Sequence, residues 1–289
     1  MLKFNNRVLN YNTRWLDEGS HPGPSVPLYT LRLKFKDNIT PTFDRGTAVQ
    51  VSQNPNIWDL TYSNTDWTSL LENQNDLIEV IESNTYGVTN MYSLFGGCRY
   101  LTKVCYMNTS TVTNMNDMFA GCYRLPEVPM LNTENVTSMM GMFSNCVNLN
   151  TVPLYNTSKV TNMMAMFQSC SVKSVPLFDT SNVTTMNGMF ALAAIENLPT
   201  YDTSKVVDGE AMCYMCNSLT SIPLLNTSSM TNVDGMFYGC INVESGALTL
   251  YNEMSVNPAI QNHLNTFYNC GINTATGIAE LAQIPSDWR

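Results

Sequence analysis

This 289-residue chain carries little charge: Asp, Glu, Lys and Arg make up 13% of it, about half of their usual share in a globular domain. Acids outnumber bases by 23 to 14, so the net charge is −9 and a nucleic-acid role is disfavoured. Histidine occurs only at His21 and His263, which supports no Ser/His/Asp or Cys/His catalytic arrangement and no zinc cluster. We therefore predict no catalytic residue, no cofactor and no bound metal, and thus not an enzyme.

Long apolar runs are also missing. No stretch approaches the ~20 consecutive apolar residues of a membrane-spanning helix, so membrane insertion is not expected. Residues 1–16 lack the uninterrupted apolar core and the small-residue cleavage site of a signal peptide. We expect a chain that folds in a cytoplasm, although a fragment of a larger secreted protein would lack the same signals.

What the chain has instead is a unit of about 24 residues that recurs along most of its length. The opening Asn or Asp of each unit falls at Asn84, Asn108, Asn132, Asn156, Asp179, Asp202 and Asn226. A fixed period in this range indicates a solenoid, in which each unit buries its apolar face against its neighbours. We therefore predict an α/β solenoid of short parallel strands and short helices, with an N-terminal cap that contains β-strands.

Each unit combines a helix-like stretch with an extended one. In the unit that opens at Asn108, apolar side chains from Val112 to Cys122 follow the spacing of one helix face, and residues 125–129 have an extended pattern. Two apolar columns are therefore expected inside the stack. They are the Phe column (Phe95, Phe119, Phe143, Phe167, Phe190 and Phe237) and the Cys column (Cys98, Cys122, Cys146, Cys170, Cys216 and Cys240).

The polar and sulfur-containing columns have alternative interpretations. The Asn/Asp column is predicted to be a buried ladder that satisfies the backbone of turns, with cation binding as the alternative. Cysteines at the repeat spacing indicate buried thiols, while disulfides between stacked neighbours stay an alternative. The aromatic residues Tyr155, Phe178 and Tyr201 each precede the Asn or Asp of a unit. They are a candidate ligand-contact stripe for sugar or protein, or else packing at the edge of the core.

Four segments are expected along the chain. Residues 1–27 form an anchoring arm with a Pro- and Gly-rich linker, and residues 28–83 form an N-terminal cap with a degenerate first repeat. Residues 84–252 are the repeats, and residues 253–289 are a C-terminal capping repeat. The candidate anchor residues in the arm are Phe4, Val8, Tyr11 and Trp15.

The repeat motif reads [Asn/Asp]-Thr-Ser-x-Val-Thr-x-Met-x-x-Met-Phe-x-x-Cys-x-x-Leu-x-x-Val-Pro-Leu and is clearest at 108–130, 132–154 and 156–177. It resembles the BspA-like bacterial surface leucine-rich repeats. That resemblance implies a leucine-rich-repeat-like stack of strands and helices that serves as a surface adhesin or ligand-binding face. It implies no catalytic residue set.

The segments at 31–62 and 279–288 look like proteins of gut Bacteroidales and their phages, including crAss-like phages. One hypothesis is therefore a virion protein, assembled in the host cytoplasm, whose arm binds other virion proteins. Its repeats would bind a glycan or protein of the bacterial surface. The alternative is a bacterial cell-surface adhesin of the same repeat family. A homo-oligomer is a further candidate assembly in either case.

Overall fold

The computed structural model describes residues 29–289 and, near the N-terminus, the backbone of residues 3–4 and 7–8. Strands β1 (Lys3–Phe4) and β2 (Arg7–Val8) pair antiparallel. Of the candidate anchor residues, Phe4 lies in β1 and Val8 in β2, whereas Tyr11 and Trp15 lie outside the described residues. The predicted linker also lies outside them.

A five-stranded mixed sheet with the strand order β4-β5-β3-β6-β7 lies at the N-terminal end of the repeats, and its last strand belongs to them. The strands are β3 (Tyr29–Phe35), β4 (Thr47–Gln53), β5 (Asn56–Tyr62), β6 (Leu77–Asn84) and β7 (Lys103–Val104). All neighbouring pairs are antiparallel except β6 and β7, which are parallel. The strict alternation at residues 29–36 predicts β3, and the structure confirms it.

Alternation along β3 decides which face of this sheet is buried. Tyr29, Leu31, Leu33 and Phe35 point into the core and are almost fully buried. On the other face, Arg32 forms ion pairs with Asp59 of β5 at 2.8 Å and with Glu82 of β6 at 3.1 Å. The apolar spacing at residues 56–60 suggests a helix, and this interpretation is wrong, because the segment pairs along its length with β3 and β4.

The predicted α/β solenoid is wrong. The sheet is mixed and mostly antiparallel rather than a parallel stack, and the described residues contain only two helices. These are α1 (Ala247–Met254) and α2 (Ala275–Leu281), which lie before and after the last repeat, the one joined to the stack at Asn262. The segments that have the spacing of a helix face form consecutive turns instead. The predicted parallel strands at positions such as 125–128 are reduced to single bridges such as Glu127 with Thr151.

Left-handed backbone explains why these segments are not helices. Each helix-like stretch contains two residues with positive φ, four positions apart, for example Asp117 (54°) with Gly121 (72°) and Ala165 (54°) with Ser169 (55°). A residue in this conformation cannot continue a right-handed helix. Backbone N–H groups then alternate between a local turn and the next repeat, so that Met118 donates to Met115 and Phe119 donates to Met142. The apolar residues with i, i+3 spacing therefore lie in successive turns and not on one face of a helix.

Successive repeats are nevertheless joined in register, and we call this part of the molecule the repeat stack. Single parallel bridges connect each repeat to the next, from Asp66 through Asn90, Asn114, Ser138, Asn162, Thr185, Asp208 and Asn232 to Asn262. Inside the stack, the rings of Phe95, Phe119, Phe143, Phe167 and Phe190 lie nearly parallel, with centroids 5.5–6.0 Å apart. Cys213 replaces the next Phe, and Phe237 stacks on Phe267.

The C-terminal end closes the stack with α1, α2 and Trp288. The Thr274 side chain caps α2 by accepting from the Gly277 N–H, and the Phe267 N–H donates to the Trp288 carbonyl at 2.8 Å. Trp288 is itself buried. No helix in the described part of the chain is long and apolar enough to cross a membrane.

Candidate recognition surface

Of the two interpretations of Tyr155, Phe178 and Tyr201, the structure supports packing at the edge of the core rather than a ligand-contact stripe. Tyr155, Phe178 and Tyr201 are each at most 3% exposed. Tyr155 stacks on Phe143 and Phe178 on Phe167, while the Tyr155 hydroxyl donates to the Pro129 carbonyl at 3.1 Å. These rings fill the edge of the core beside the Phe column and present no surface to a ligand.

The Asn/Asp column does support turns, but it is not buried. Asn132, Asn156, Asp179, Asp202 and Asn226 are exposed, and Asn108 is half-buried. Each side-chain oxygen accepts from the backbone N–H two residues further on, as Asp179 does from Ser181 at 3.0 Å. The hydrogen bonds from the Ser181 hydroxyl and N–H lower the pKa of the Asp179 carboxyl. The predicted buried polar ladder is therefore formed by other residues.

Threonine forms that buried ladder, which the sequence reasoning missed. The Thr that follows each opening Asn or Asp is at most 5% exposed. From Thr85 to Thr203, its hydroxyl donates to the backbone carbonyl of the Asn or Asp that opens the next repeat, for example from Thr109 to Asn132 and from Thr157 to Asp179, both at 2.8 Å. The signal is in the sequence, since Thr holds this place in every unit from Thr85 to Thr227.

The Cys column is also internal and joins neighbouring repeats. The Cys122 thiol donates to the Phe95 carbonyl at 3.2 Å, and the thiols of Cys146 and Cys170 repeat this contact one and two repeats later. All nine cysteines are free, and eight of them are buried. Burial raises the pKa of the Cys98 thiol to about 12. The column therefore has the packing role of a small apolar residue.

A group of cationic and aromatic side chains lies on the surface where the sheet meets the first repeats, and we call it the cation–aromatic patch. It consists of Lys36, Arg99, Tyr100, Tyr123 and Arg124. The Arg99 guanidinium lies 5.6 Å from the Tyr123 ring centroid, and the Arg124 guanidinium lies 4.5 Å from the Tyr100 centroid. Lys36 places its Nζ 3.3 Å from the Tyr100 centroid. Two rings and three cations are thus interleaved.

An inverted dipeptide builds the patch. Residues 98–101 read Cys-Arg-Tyr-Leu, and residues 122–125, one repeat later, read Cys-Tyr-Arg-Leu. Because equivalent positions of neighbouring repeats stack, the inversion places each Arg over a Tyr instead of over another Arg. Each such contact contributes about 0.5–1 kcal/mol at an exposed site. The inversion is visible in the sequence, but its meaning depends on the register between repeats.

The patch leaves two guanidinium groups free for a ligand. Arg99 and Arg124 are exposed, and neither forms an ion pair with any residue in the described part of the chain. Lys36, by contrast, pairs with Asp76 at 3.0 Å. Guanidinium groups present paired N–H donors to carboxylates or sulfates, and tyrosine rings offer apolar faces to sugars.

Other surface features are less suited to binding a charged or polar ligand. An open cleft of about 710 Å³ lies near the last repeats, where Leu224 and Val256 line it together with Glu253. Within the described residues, no group of three or more His, Cys, Asp or Glu side chains is placed to hold a metal ion. A column of exposed apolar residues runs along the stack.

Comparison with known families agrees with the repeat pattern. A family model described as "Mycoplasma protein of unknown function, DUF285" matches residues 38–151, 65–177 and 150–251, which together span more than half of the chain. The chain belongs to this family. The match supports the resemblance to BspA-like surface repeats at the level of the repeat family. No curated protein and no solved structure matches the chain.

Proposed function

We propose that this protein is a non-enzymatic binding protein of a bacterial surface, which attaches through the cation–aromatic patch to an anionic polysaccharide. The observation that supports the proposal is the pair of crossed contacts, Arg99 over Tyr123 and Arg124 over Tyr100. They concentrate unpaired positive charge on a chain whose net charge is −9. Membership of a surface repeat family is consistent with such a role.

The chemistry of the patch favours a polysaccharide that carries carboxylates. The two rings hold the guanidinium groups in place from one side, so that fewer side-chain rotamers are lost on binding. The outward N–H groups then accept a carboxylate in bidentate geometry. Neighbouring repeats are roughly 4.8 Å apart where backbone bridges join them, close to the length of one sugar ring. Two adjacent Arg–Tyr pairs therefore suit two neighbouring sugars of a polymer, one of which carries the carboxylate.

Binding of the full chain to immobilised hyaluronan, with dextran as the neutral polymer, tests the proposal. We expect binding to hyaluronan alone, and it should weaken as salt is added, because exposed charges are screened. The double change Arg99→Gln and Arg124→Gln should reduce the affinity by roughly 100-fold or more, since each of the two lost charged hydrogen bonds contributes roughly 1.5–3 kcal/mol.

Two further variants distinguish the contribution of the patch to binding from that of the net charge. Lys159→Gln removes an exposed cation elsewhere on the stack and should leave the affinity within about twofold of the original. The exchange Arg99→Tyr with Tyr100→Arg keeps the composition but places Arg over Arg and Tyr over Tyr, so it should also lose binding. Equal affinity of the original chain and the double Gln variant would contradict the proposal.

A virion location is a second candidate, which rests on the resemblance of the segments at 31–62 and 279–288 to phage proteins alone. In that case the same patch would attach a particle to the polysaccharide of its host, and the N-terminal arm would bind other virion proteins. Antibody labelling of purified particles and of intact cells separates the two locations. Label on cells but not on particles would favour the cell-surface adhesin.

A further inference from the structure

Five of six successive repeats expose an apolar side chain at the same place, directly after the residue in the proline position. We call these residues the apolar column: Tyr106, Met130, Leu154, Leu177 and Leu224, with Thr200 at the fifth of the six places. The five apolar members are 55–63% exposed. Contiguous apolar surface of this kind marks an interaction site in a soluble protein.

We propose that a second copy of this chain docks on the apolar column, with the two stacks antiparallel and related by a two-fold axis. This contact goes beyond the proposed attachment function and uses none of the residues of the cation–aromatic patch. In this arrangement Tyr106 faces Leu224 of the other copy, Met130 faces Thr200, and Leu154 faces Leu177.

The period of the column is the first reason for choosing a second copy. Backbone bridges join the repeats, so the column advances by roughly 4.8 Å per repeat. A ridge of an α-helix advances by about 5.4 Å per turn and one face of a strand by about 6.7 Å per two residues. Over the five intervals of the column, the accumulated difference in length is roughly 3 Å for a helix and roughly 9 Å for a strand. Another repeat stack with the same period stays in phase along the whole column.

The area of the column is also sufficient for a dimer. Five side chains that are 55–63% exposed present roughly 500–600 Å² on each copy, so a face-to-face contact buries roughly 1,000–1,200 Å² in total. That is the lower limit for a specific protein–protein interface. In an isologous contact both copies bury the same surface, so the total buried area is twice that of one column.

Thr200, the one polar residue in the column, indicates that the two stacks run antiparallel. Thr200 is shorter than its neighbours, and it lines the open cleft together with Leu224 and Val256. The antiparallel order brings Met130 opposite Thr200, so the long and flexible Met side chain enters this cleft on each copy. A parallel order would instead place Thr200 against Thr200 and leave both clefts unfilled.

Charges beside the column are compatible with the antiparallel order. The flanking acids are Glu127 on one side and Asp179 and Asp202 on the other. The two-fold axis places Glu127 opposite Asn197, and it places Asp179 opposite Asn156 and Asp202 opposite Asn132. At these positions, three before and two after the column residues, no two like charges meet across the contact, which avoids a common cause of rejection between copies.

The molar mass of the full chain in solution, measured by light scattering across a concentration series, tests the dimer. We expect a dimer that dissociates on dilution. Leu154→Glu should raise the dissociation constant by on the order of 100-fold, because it buries a charge against an apolar side chain. Val147→Glu is the matched control, since Val147 is 51% exposed on a different column of the same repeat. It should leave the dissociation constant unchanged.

Cysteine cross-linking tests the antiparallel order. The double variant Met130→Cys with Thr200→Cys should form a covalent dimer under mild oxidation, whereas Met130→Cys alone should not, beyond the level of the original chain. A covalent dimer from Met130→Cys alone would indicate parallel stacks and overturn the proposed order. A monomer at every concentration would overturn the second copy as the occupant and leave a different protein as the alternative.

Discussion

At the scale of single residues, the two polar positions that open each repeat divide their roles. The Asn or Asp side chain stabilises a turn within its own repeat, whereas the buried Thr hydroxyl joins that repeat to the next. A buried carbonyl without a donor costs about 1–3 kcal/mol, so the Thr ladder contributes more to the stack than an exposed turn residue does. Asp can therefore replace Asn at the position that opens a repeat, because the charged side chain is exposed to water there.

Thr157→Val tests the buried ladder. Val has nearly the shape of Thr but cannot donate to the Asp179 carbonyl, which accepts from no other donor in the described part of the chain. We expect the free energy of unfolding in urea to fall by about 1–3 kcal/mol. Thr161→Val is the control, because Thr161 is exposed and its hydroxyl lies 3.3 Å from a carbonyl that its own N–H already reaches. A loss of equal size in both variants would contradict the distinction.

At the scale of elements, the turns of each repeat depend on residues in the left-handed region. Several of these positions hold Gly, but others hold Asp117, Ala165 or Leu192. A left-handed residue other than Gly costs roughly 1–2 kcal/mol, which the bonds to neighbouring repeats offset. Gly246 differs from these positions, because it directly precedes α1, has φ 98° and lies against the Ile222 backbone.

Gly246→Ala and Gly188→Ala should therefore behave differently. A Cβ at residue 246 would lie 2.1 Å from the Ile222 carbonyl oxygen, whereas one at residue 188 would meet nothing closer than 3.9 Å. We expect Gly246→Ala to lower the free energy of unfolding by more than about 3 kcal/mol and Gly188→Ala by about 1 kcal/mol. Thermal melts followed by circular dichroism measure both. A mild effect at residue 246 would show that α1 can move away from Ile222.

At the scale of the whole molecule, one regular stack presents two surfaces of different chemistry. The cation–aromatic patch occurs once, where the sheet meets the first repeats, whereas the apolar column extends along six repeats. A dimer through the column would carry two patches. Two linked sites bind a dense polymer more tightly than one site does, because the second contact becomes intramolecular.

Leu154→Glu should therefore weaken attachment to a dense hyaluronan surface by at least about 10-fold while leaving the affinity for a short hyaluronan oligosaccharide unchanged. The substituted residue is not part of the patch, so only the number of linked sites changes. Surface binding at two polymer densities, together with titration of the oligosaccharide in solution, measures both quantities. Equal losses for polymer and oligosaccharide would mean that Leu154 affects the patch itself, which would contradict the separation of the two surfaces.

The amino-acid sequence by itself determined the period, the identity of the buried Phe, Met and Cys positions and the strand β3, because apolar spacing records which side chains face inward. It also contained the Thr ladder and the inverted Arg-Tyr and Tyr-Arg pair. Only the tertiary structure decided that the helix-like spacing forms turns, since i, i+3 periodicity does not reveal the sign of φ. The tertiary structure also placed Tyr155, Phe178 and Tyr201 in the core and the Arg99 guanidinium over the Tyr123 ring. Both outcomes depend on contacts between residues of different repeats, which the sequence alone does not give.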